Sequence, residues 1–272
     1  IAGAERVFSI MDEKEEEKQG KTSMPKGKGV VNFEHVDFSY VPEKQVLYDF
    51  NLEVRAGHKV ALVGATGSGK TTVVNLLMRF YEISAGKISI DGVDIRDIGM
   101  DELRKNIAIV LQDTVLFSDT IRNNIKYANL DAEEEKMKQA AATANCGRMI
   151  ERMEQGYDTI LSEGGQNLSQ GQRQLLSIAR AVLADPKILI LDEATSSVDT
   201  RTEKHIQDAM VNLMKDRTSL IIAHRLSTIQ DADFIVVLDG GRIVETGNHE
   251  ELIEKKGRYY ELYMTQFAGR EI

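Results

Sequence analysis

The chain has 272 residues and 42% of them are hydrophobic, which is enough for one large domain or for one domain with an inserted lobe. Its net charge of −9 and isoelectric point of about 5.2 argue against a nucleic-acid-binding surface. A single cysteine, Cys146, excludes an internal disulfide framework, and no apolar run approaches the roughly 20 residues of a membrane span. Because the chain begins at Ile1 rather than Met, we expect it to be part of a longer protein.

The first 29 residues are expected to precede the main domain. Residues 1–12 predict a short amphipathic helix, and residues 13–29 are charged and interrupted by Gly and Pro, which is typical of a solvated linker. Apolar and polar residues then alternate over residues 30–60, which indicates an antiparallel β layer. The residues on the apolar stripe of the predicted helix are Ile1, Ala4, Val7, Phe8 and Met11.

The stretch "GATGSGKTT", residues 64–72, lies between a buried strand and a helix. The strand is predicted at residues 60–63, which are all apolar, and the helix at residues 71–80. This is the context that the phosphate-binding P-loop requires, whereas a glycine-rich turn without binding function requires no such neighbours. The residues expected on one face of the helix are Val73, Leu76, Leu77 and Phe80.

The P-loop pattern assigns a role to each type of residue. Its glycines let the backbone N–H groups approach an anion, and the start of the following helix adds a positive dipole. Lys70 is predicted to reach the β- and γ-phosphates, and the Thr71 hydroxyl is predicted to bind Mg²⁺. The residues expected to bind nucleotide here are Gly64, Ala65, Thr66, Gly67, Ser68, Gly69, Lys70, Thr71 and Thr72.

Further strands and helices follow in alternation. Residues 86–95 predict a strand pair, and residues 106–113 predict a second buried strand that ends at Gln112. Residues from about 120 to 184 are mostly helix-forming and rich in alanine, so they predict a helical lobe inserted between strands.

The last third of the chain predicts two more buried strands, a hairpin and a helical tail. The strands lie at residues 187–196 and 218–226, the hairpin at residues 234–247, and the tail at residues 249–267. Buried strands that alternate with helices indicate an α/β fold with a parallel sheet. Ligands in such sheets bind at the carboxyl ends of the strands, where this pattern places the P-loop, Gln112, Asp192 and His224.

Polar side chains at these strand ends are candidates for catalysis. Asp192 is placed to hold Mg²⁺, and Glu193, which follows it, could polarise an attacking water as a general base. Gln112 could contact Mg²⁺ or that water, or it could be a surface glutamine. His224 could contact the γ-phosphate or be structural, and Tyr40 could stack on a base or simply pack.

The stretch "LSQGQ", residues 168–172, opens a second helix that can bind an anion. Ser169 is a good helix cap, and a serine hydroxyl, a glycine backbone and a helix N-terminus together form an anion site. Two chains packed head to tail could each place this helix end over the P-loop of the other. The residues on the apolar face of the helix are Leu175, Ile178, Ala179 and Val182.

Five motifs, "GATGSGKTT", "VLQD", "LSQGQ", "ILILDEATSSVD" and "IIAHR", occur in the order found in ATP-binding cassette (ABC) ATPases. From about Val30 onward the chain resembles the nucleotide-binding domain of an ABC exporter. The resemblance implies a P-loop NTPase (RecA-like) α/β core with an antiparallel β subdomain and a helical subdomain inserted at about residues 113–184. It also implies that residues 1–29 lead from a last transmembrane helix, and that the domain uses ATP and Mg²⁺ at the cytoplasmic face of a membrane.

The resemblance also implies roles for individual residues. Tyr40 would stack on adenine, Gln112 would link the site to the helical lobe, and Glu193 would be the catalytic base. His224 would contact the γ-phosphate, and Asp199 would communicate across a dimer. Ser169, Gly171 and Gln172 would complete the ATP site of a second nucleotide-binding domain. Residues 162–169 would face the coupling helices of the membrane domain.

One residue departs from the family pattern. The usual signature is LSGGQ, and Gln170 replaces its first glycine. Because the signature completes the partner's ATP site, this departure resembles the catalytic half of heterodimeric multidrug exporters, whose two ATP sites are unequal. The alternative is a homodimer that tolerates the glutamine.

Other functions remain open on the sequence. A soluble ABC ATPase acting on nucleic acid or ribosomes would usually carry long coiled coils or two cassettes, and neither is present. An importer ATPase is normally a separate chain, whereas the stretch "IAGAERVF" resembles the end of a membrane helix. A regulatory cassette that binds ATP without cleaving it would not need Glu193 and His224. The expected function is therefore ATP-driven export of a drug-like or lipid-like substrate.

Overall fold

The computed structural model of the protein describes residues 2–12, 20, 22–111, 114–192, 200–223 and 225–266. Within these ranges, none of the helices has the length and apolar content that crossing a membrane requires. The strands are β1 Val31–Val41, β2 Lys44–Val54, β3 Lys59–Val63, β4 Ala85–Ile90, β5 Val93–Asp94, β6 Ile107–Val110, β7 Ile188–Asp192, β8 Thr218–Ile222, β9 Phe234–Asp239 and β10 Arg242–Gly247. The helices are α1 Ala2–Met11, α2 Lys70–Leu77, α3 Met100–Lys105, α4 Ile121–Lys126, α5 Glu134–Thr143, α6 Gly147–Glu151, α7 Gln170–Ala184, α8 Thr200–Met214, α9 Leu226–Gln230, α10 His249–Lys255 and α11 Arg258–Gln266.

A six-stranded sheet forms the centre of the α/β fold, in the order β10-β9-β3-β8-β7-β6. Its neighbouring strands pair in parallel except β9 and β10, which form the predicted antiparallel hairpin. Gly240 and Gly241 form the turn with φ of 52° and 76°, values that a tight hairpin of this hand requires. The predicted parallel sheet is thus confirmed.

The central sheet is buried on both faces. Along β3, Ala61 and Val63 contribute to one hydrophobic core, and Val60 and Leu62 contribute to the other. This alternation explains why a strand of the central sheet is apolar at every position. One core packs against the helices, and the other lies between the central sheet and a second sheet.

The second sheet is the predicted antiparallel layer, with the strand order β2-β1-β4-β5. The P-loop helix α2 packs into the core between the two sheets through Val73, Val74, Leu76 and Leu77, all at most 2% exposed. The antiparallel layer therefore fixes the position of the helix that begins at the P-loop.

The P-loop helix is shorter than predicted. It ends at Leu77, and Phe80, expected on its buried face, is 51% exposed. Arg79 adopts φ of 55°, and the N–H groups of Arg79 and Phe80 donate to the carbonyls of Leu76 and Asn75. A left-handed residue that satisfies the last helical carbonyls ends a helix, and the apolar spacing alone does not show this.

The inserted helical region follows the prediction. It contains α4, α5, α6 and α7, and α7 also packs against β6 and α8. Cys146 lies fully buried in its core, where its Sγ donates to the Ala141 carbonyl at 3.3 Å and burial raises the pKa of its thiol to about 12. The predicted apolar face of α7 is confirmed, because Leu175, Ile178 and Ala179 are at most 4% exposed and Val182 is half-buried against the same core.

Part of the segment predicted to be a solvated linker is docked on the domain. Met24 is only 8% exposed, and the Lys187 ammonium donates to the Pro25 carbonyl at 2.7 Å. The Asp91 carboxylate accepts the backbone N–H groups of Gly29 and Val30 at 2.9–3.1 Å. We call residues 22–30 the strap. Farther along the chain toward its start, α1 leaves Val7, Phe8, Ile10 and Met11 exposed.

We predict that Asp91→Asn lowers the free energy of unfolding by roughly 1–2 kcal/mol, because an amide offers one oxygen and no charge to these N–H groups. Asparagine tolerates the left-handed backbone of Asp91, whose φ is 48°. Asp97→Asn is the matched control, since no hydrogen bond of the Asp97 carboxylate occurs within the described residues. Urea denaturation measures both. Equal stability of the two variants would show that Asp91 does not hold the strap.

Candidate functional site

The P-loop connects β3 to α2 and curves around its own lysine. Lys70 is 7% exposed, and its ammonium donates to the carbonyls of Gly64 at 2.8 Å and Ala65 at 3.0 Å. A lysine ammonium carries three donors, so one remains for a phosphate oxygen. The loop therefore holds a positive charge at its centre.

Two glycines give the loop its curvature. Gly67 and Gly69 have φ of 82° and 108°, which other residues rarely adopt. A Cβ on Gly69 would also come within 2.8 Å of Leu47 in the antiparallel layer. Gly69 caps α2, so the N–H groups of the first helical turn point toward the loop.

The turn of the β9–β10 hairpin is hydrogen-bonded to the P-loop. Gly241 donates its N–H to the Ser68 carbonyl at 3.2 Å and accepts the Tyr48 N–H at 3.1 Å. A Cβ on Gly241 would lie 2.0 Å from the Val46 carbonyl oxygen, so only glycine fits. The sequence predicted this glycine as a turn residue only, and no local signal could reveal its contact with the P-loop.

The Ser68 side chain fits a loop that binds phosphate. It is 3% exposed, and within the described residues its hydroxyl has no hydrogen-bond partner. Because buried polar groups are nearly always paired, an unpaired donor at this position is suited to a ligand oxygen. Among the described residues, the Ser68 hydroxyl is therefore a hydrogen-bond donor that can serve a ligand.

Asp192 ends β7 near Lys70, as the sequence predicted. Burial lowers the pKa of Lys70, and the negative charge of Asp192 opposes that shift. Thr71 is exposed at the first turn of α2. Within the described residues no group of three His, Cys, Asp or Glu side chains could hold a metal ion. Mg²⁺ typically binds through one or two carboxylates together with phosphate oxygens and water, and Asp192 is the carboxylate that the sequence predicts for it.

Tyr40 reaches from the antiparallel layer to the P-loop helix. Its hydroxyl lies 3.1 Å from the Thr72 hydroxyl and accepts from the Asn75 amide at 3.3 Å. Its ring is 44% exposed and makes edge-to-face contacts with Phe38 and Tyr81 at 4.8 and 4.9 Å between centroids. The structure thus holds an exposed aromatic surface beside the phosphate loop.

The "LSQGQ" segment forms a capped helix end. The Ser169 hydroxyl accepts the Gln172 N–H at 3.2 Å, and the Gln172 side chain accepts the Ser169 N–H at 2.9 Å. Gly171 is buried, whereas Gln170 is exposed at the first helical position. The side-chain hydrogen bonds of Ser169 and Gln172 among the described residues stay within this turn, so they do not join the chain's own P-loop.

Four predicted site residues lie outside the described residues: Gln112, Glu193, Asp199 and His224. Their roles remain predictions. The strands that precede Gln112, Glu193 and His224 end close to them in the chain, since β6 ends at Val110, β7 at Asp192 and β8 at Ile222. These three residues therefore follow the carboxyl ends of parallel strands, as the sequence predicted.

The family model for ABC transporters matches residues 47–196. This chain belongs to the ABC transporter family. The P-loop, Asp192 and the "LSQGQ" helix therefore belong to an ABC transporter ATP-binding domain.

Known proteins are similar over nearly the whole chain. It is 55% identical over 269 residues to an uncharacterized ABC transporter ATP-binding protein of Bacillus subtilis, and 52% identical over 262 residues to a fatty acid ABC transporter ATP-binding/permease protein of Mycobacterium bovis. These alignments cover 98% and 96% of this chain but 44% and 42% of the relatives. The structure of a bacterial Atm1-family ABC exporter with ATP bound superposes with a TM-score of 0.90 at 40% identity, covering 99% of this chain and 47% of that one.

This ABC domain also has an open groove of about 950 Å³ between α3, β6, α7 and residues 127–131, which sequence reasoning missed. Four apolar side chains in the groove are exposed, Leu111 at 41%, Val115 at 61%, Tyr127 at 59% and Leu130 at 72%. Arg180 lies over the Tyr127 ring at 5.5 Å and donates to the Asn124 and Val115 carbonyls. Burial lowers the pKa of Arg180, whose charge these contacts compensate. Leu111 lies in a predicted strand, Tyr127 and Leu130 lie in the predicted helical lobe, and Val115 lies between the two, so the spacing gives no signal for a groove.

We predict that Lys70→Met weakens ATP binding roughly 10- to 100-fold, because it removes a charged hydrogen-bond donor from the loop. Lys59→Met, at the other end of β3, is the control and should bind as the wild type does. Isothermal titration with ATP measures both variants. Unchanged affinity of Lys70→Met would overturn the phosphate-loop assignment.

We predict that Tyr40→Ala weakens ATP binding about tenfold, because base–aromatic stacking contributes about 1–3 kcal/mol. Tyr40→Phe keeps the ring and loses the Thr72 hydrogen bond, so it should retain most of the affinity. Titration with inorganic triphosphate, which has no base, should not distinguish the three proteins. An equal loss in both variants would show that the hydroxyl rather than the ring matters.

Proposed function

We propose that this chain is the ATP-hydrolysing domain of a membrane exporter and that two such domains close around ATP. The single observation that carries this proposal is the loop-bound ammonium of Lys70 with the Asp192 carboxylate near it. Positive charge, free N–H donors and a carboxylate for Mg²⁺ form one site for the triphosphate.

The residues of this site would act by positioning and by charge. Lys70, the Ser68 hydroxyl and the first turn of α2 would hold the phosphates and stabilise the charge that develops on them. Thr71, Asp192 and Gln112 would hold Mg²⁺, which when bound neutralises negative charge on the phosphates. Glu193 would accept a proton from the attacking water, and His224 would contact the γ-phosphate.

The "LSQGQ" helix end would complete the site of a partner domain. Its exposed Ser169, its position at a helix N-terminus and the confinement of its described side-chain hydrogen bonds to its own turn support a ligand on another molecule. Asp199 would lie at the same interface. Because Gln170 is exposed on this surface, we propose that the partner is a different nucleotide-binding domain.

The groove between α3, β6, α7 and residues 127–131 is suited to the coupling helices of a membrane domain. Its residues Leu111 and Thr114 flank the segment of Gln112, so a helix seated there would contact the chain beside the ATP site. One relative is named an ATP-binding/permease protein, and this name supports a membrane domain in the full-length protein. We propose that residues 1–29 lead from it, that the domain lies at the cytoplasmic face, and that the cargo is lipid-like or drug-like.

Glu193→Gln tests catalysis. We predict that it lowers the ATP turnover of the chain by at least about 100-fold while ATP affinity stays unchanged, because an amide cannot accept the proton of the water. A coupled phosphate-release assay measures turnover, and titration measures affinity. Turnover at the wild-type rate would show that Glu193 is not the base.

Gln170→Gly, made in the Glu193→Gln background, tests the partner. We predict that with Mg-ATP the chain that retains Gln170 stays mainly monomeric. The Gln170→Gly variant should associate about tenfold more tightly, because no side chain then stands between the helix end and the partner's nucleotide. Analytical ultracentrifugation compares the two. If the chain with Gln170 dimerises as tightly as its matched variant, the signature closes over a second copy and the protein is a homodimer.

A further inference from the structure

A cavity of about 180 Å³ lies between α7, α8, α9 and β8, separate from the residues assigned to the ATP site. Its inner walls are apolar side chains of α8 and β8, of which Ile206, Met210 and Ile221 are at most 6% exposed. Val211 also lines the cavity and is 59% exposed, so it lies at the opening. The cavity therefore has an apolar side formed by α8 and β8, polar and charged residues on its other sides, and a mouth toward solvent.

One polar side chain on the wall of this cavity makes no hydrogen bond to the described part of the protein. Gln174, on α7, is 6% exposed and lines the cavity, and within the described residues its amide has no hydrogen-bond partner. By contrast, the buried amide of Asn124 bonds to Phe117, Thr120 and Arg180. Because solvent reaches the Gln174 amide through the cavity, the amide is available to a ligand.

The charges around the cavity favour a neutral ligand. Lys59 and Arg225 line it together with Asp208 and Asp231, so the positive and negative groups balance. Arg225 also forms an ion pair with Glu203 at 3.0 Å, so its charge is already compensated. An ion would have to give up its hydration without a compensating charge.

The size and the wall chemistry narrow the ligand further. A cavity of about 150 Å³ with aliphatic and aromatic walls binds benzene, so the volume here admits one aromatic ring with a small substituent. The thioethers of Met210 and Met214, which line the cavity, make favourable contacts with aromatic rings. We propose that this cavity binds a small uncharged aromatic molecule with one hydroxyl group, which hydrogen-bonds to Gln174.

Binding of 4-methylphenol and of p-xylene, which has a methyl group in place of the hydroxyl, tests the proposal on the whole chain. We expect 4-methylphenol to bind about tenfold more tightly than p-xylene in ligand-observed NMR titrations, because only it pairs with the amide. Gln174→Leu keeps the volume and should remove this preference. Equal binding of the two ligands to the wild type, or an unchanged preference in Gln174→Leu, would overturn the proposal.

A second pair of variants locates the binding site. Val211→Trp places a large ring at the mouth without disturbing the buried walls and should abolish binding of 4-methylphenol. Val244→Trp, at another exposed valine on β10, is the matched control and should bind normally. Binding that persists in Val211→Trp would place the ligand elsewhere and overturn the proposal. Neither readout requires ATP hydrolysis, so failure of the proposed function would leave both tests intact.

Discussion

The hydrogen bonds between the buried Lys70 ammonium and the backbone carbonyls of the P-loop are the interaction on which the rest of this domain depends. Lys70 is almost fully enclosed, so its charge must be compensated by Gly64, Ala65 and the nearby Asp192. Burial already opposes the protonated form of Lys70, and a bound anion would favour it. The P-loop therefore favours the binding of an anion, and this is why the site suits a triphosphate.

Three other parts of the fold fix the position of the loop that holds the Lys70 ammonium. The doubly buried strand β3 leads into the loop, the hairpin glycine Gly241 bonds to its back, and the antiparallel layer packs on α2. Tyr40 links that layer to the loop helix through Thr72. Each support comes from a different part of the chain, so the geometry of the loop depends on the whole tertiary structure rather than on the glycine-rich segment alone.

The sequence predicted the parts that depend on local pattern. The strand of residues 60–63, the hairpin turn, the capped helix at Ser169 and the apolar face of α7 follow from periodicity and turn chemistry, and the structure has all of them. Contacts between segments that are distant in the chain leave no pattern in the local sequence from which they could be predicted. The docking of the strap on Asp91 and the contact of Gly241 with the loop arise from tertiary packing that local spacing does not encode. The early end of α2 at Leu77 depends on the left-handed backbone of Arg79, which the apolar spacing does not show either.

The buried thiol of Cys146 makes the chain well suited to site-specific labelling. It is the single cysteine of the sequence, it is fully enclosed, and its raised pKa keeps it protonated, so it reacts slowly with electrophiles. A cysteine introduced at an exposed position such as Gln170 or Val115 would be the reactive thiol in an otherwise unaltered protein. Spectroscopic probes could then follow the helix end or the groove during ATP binding while Cys146 stays in place.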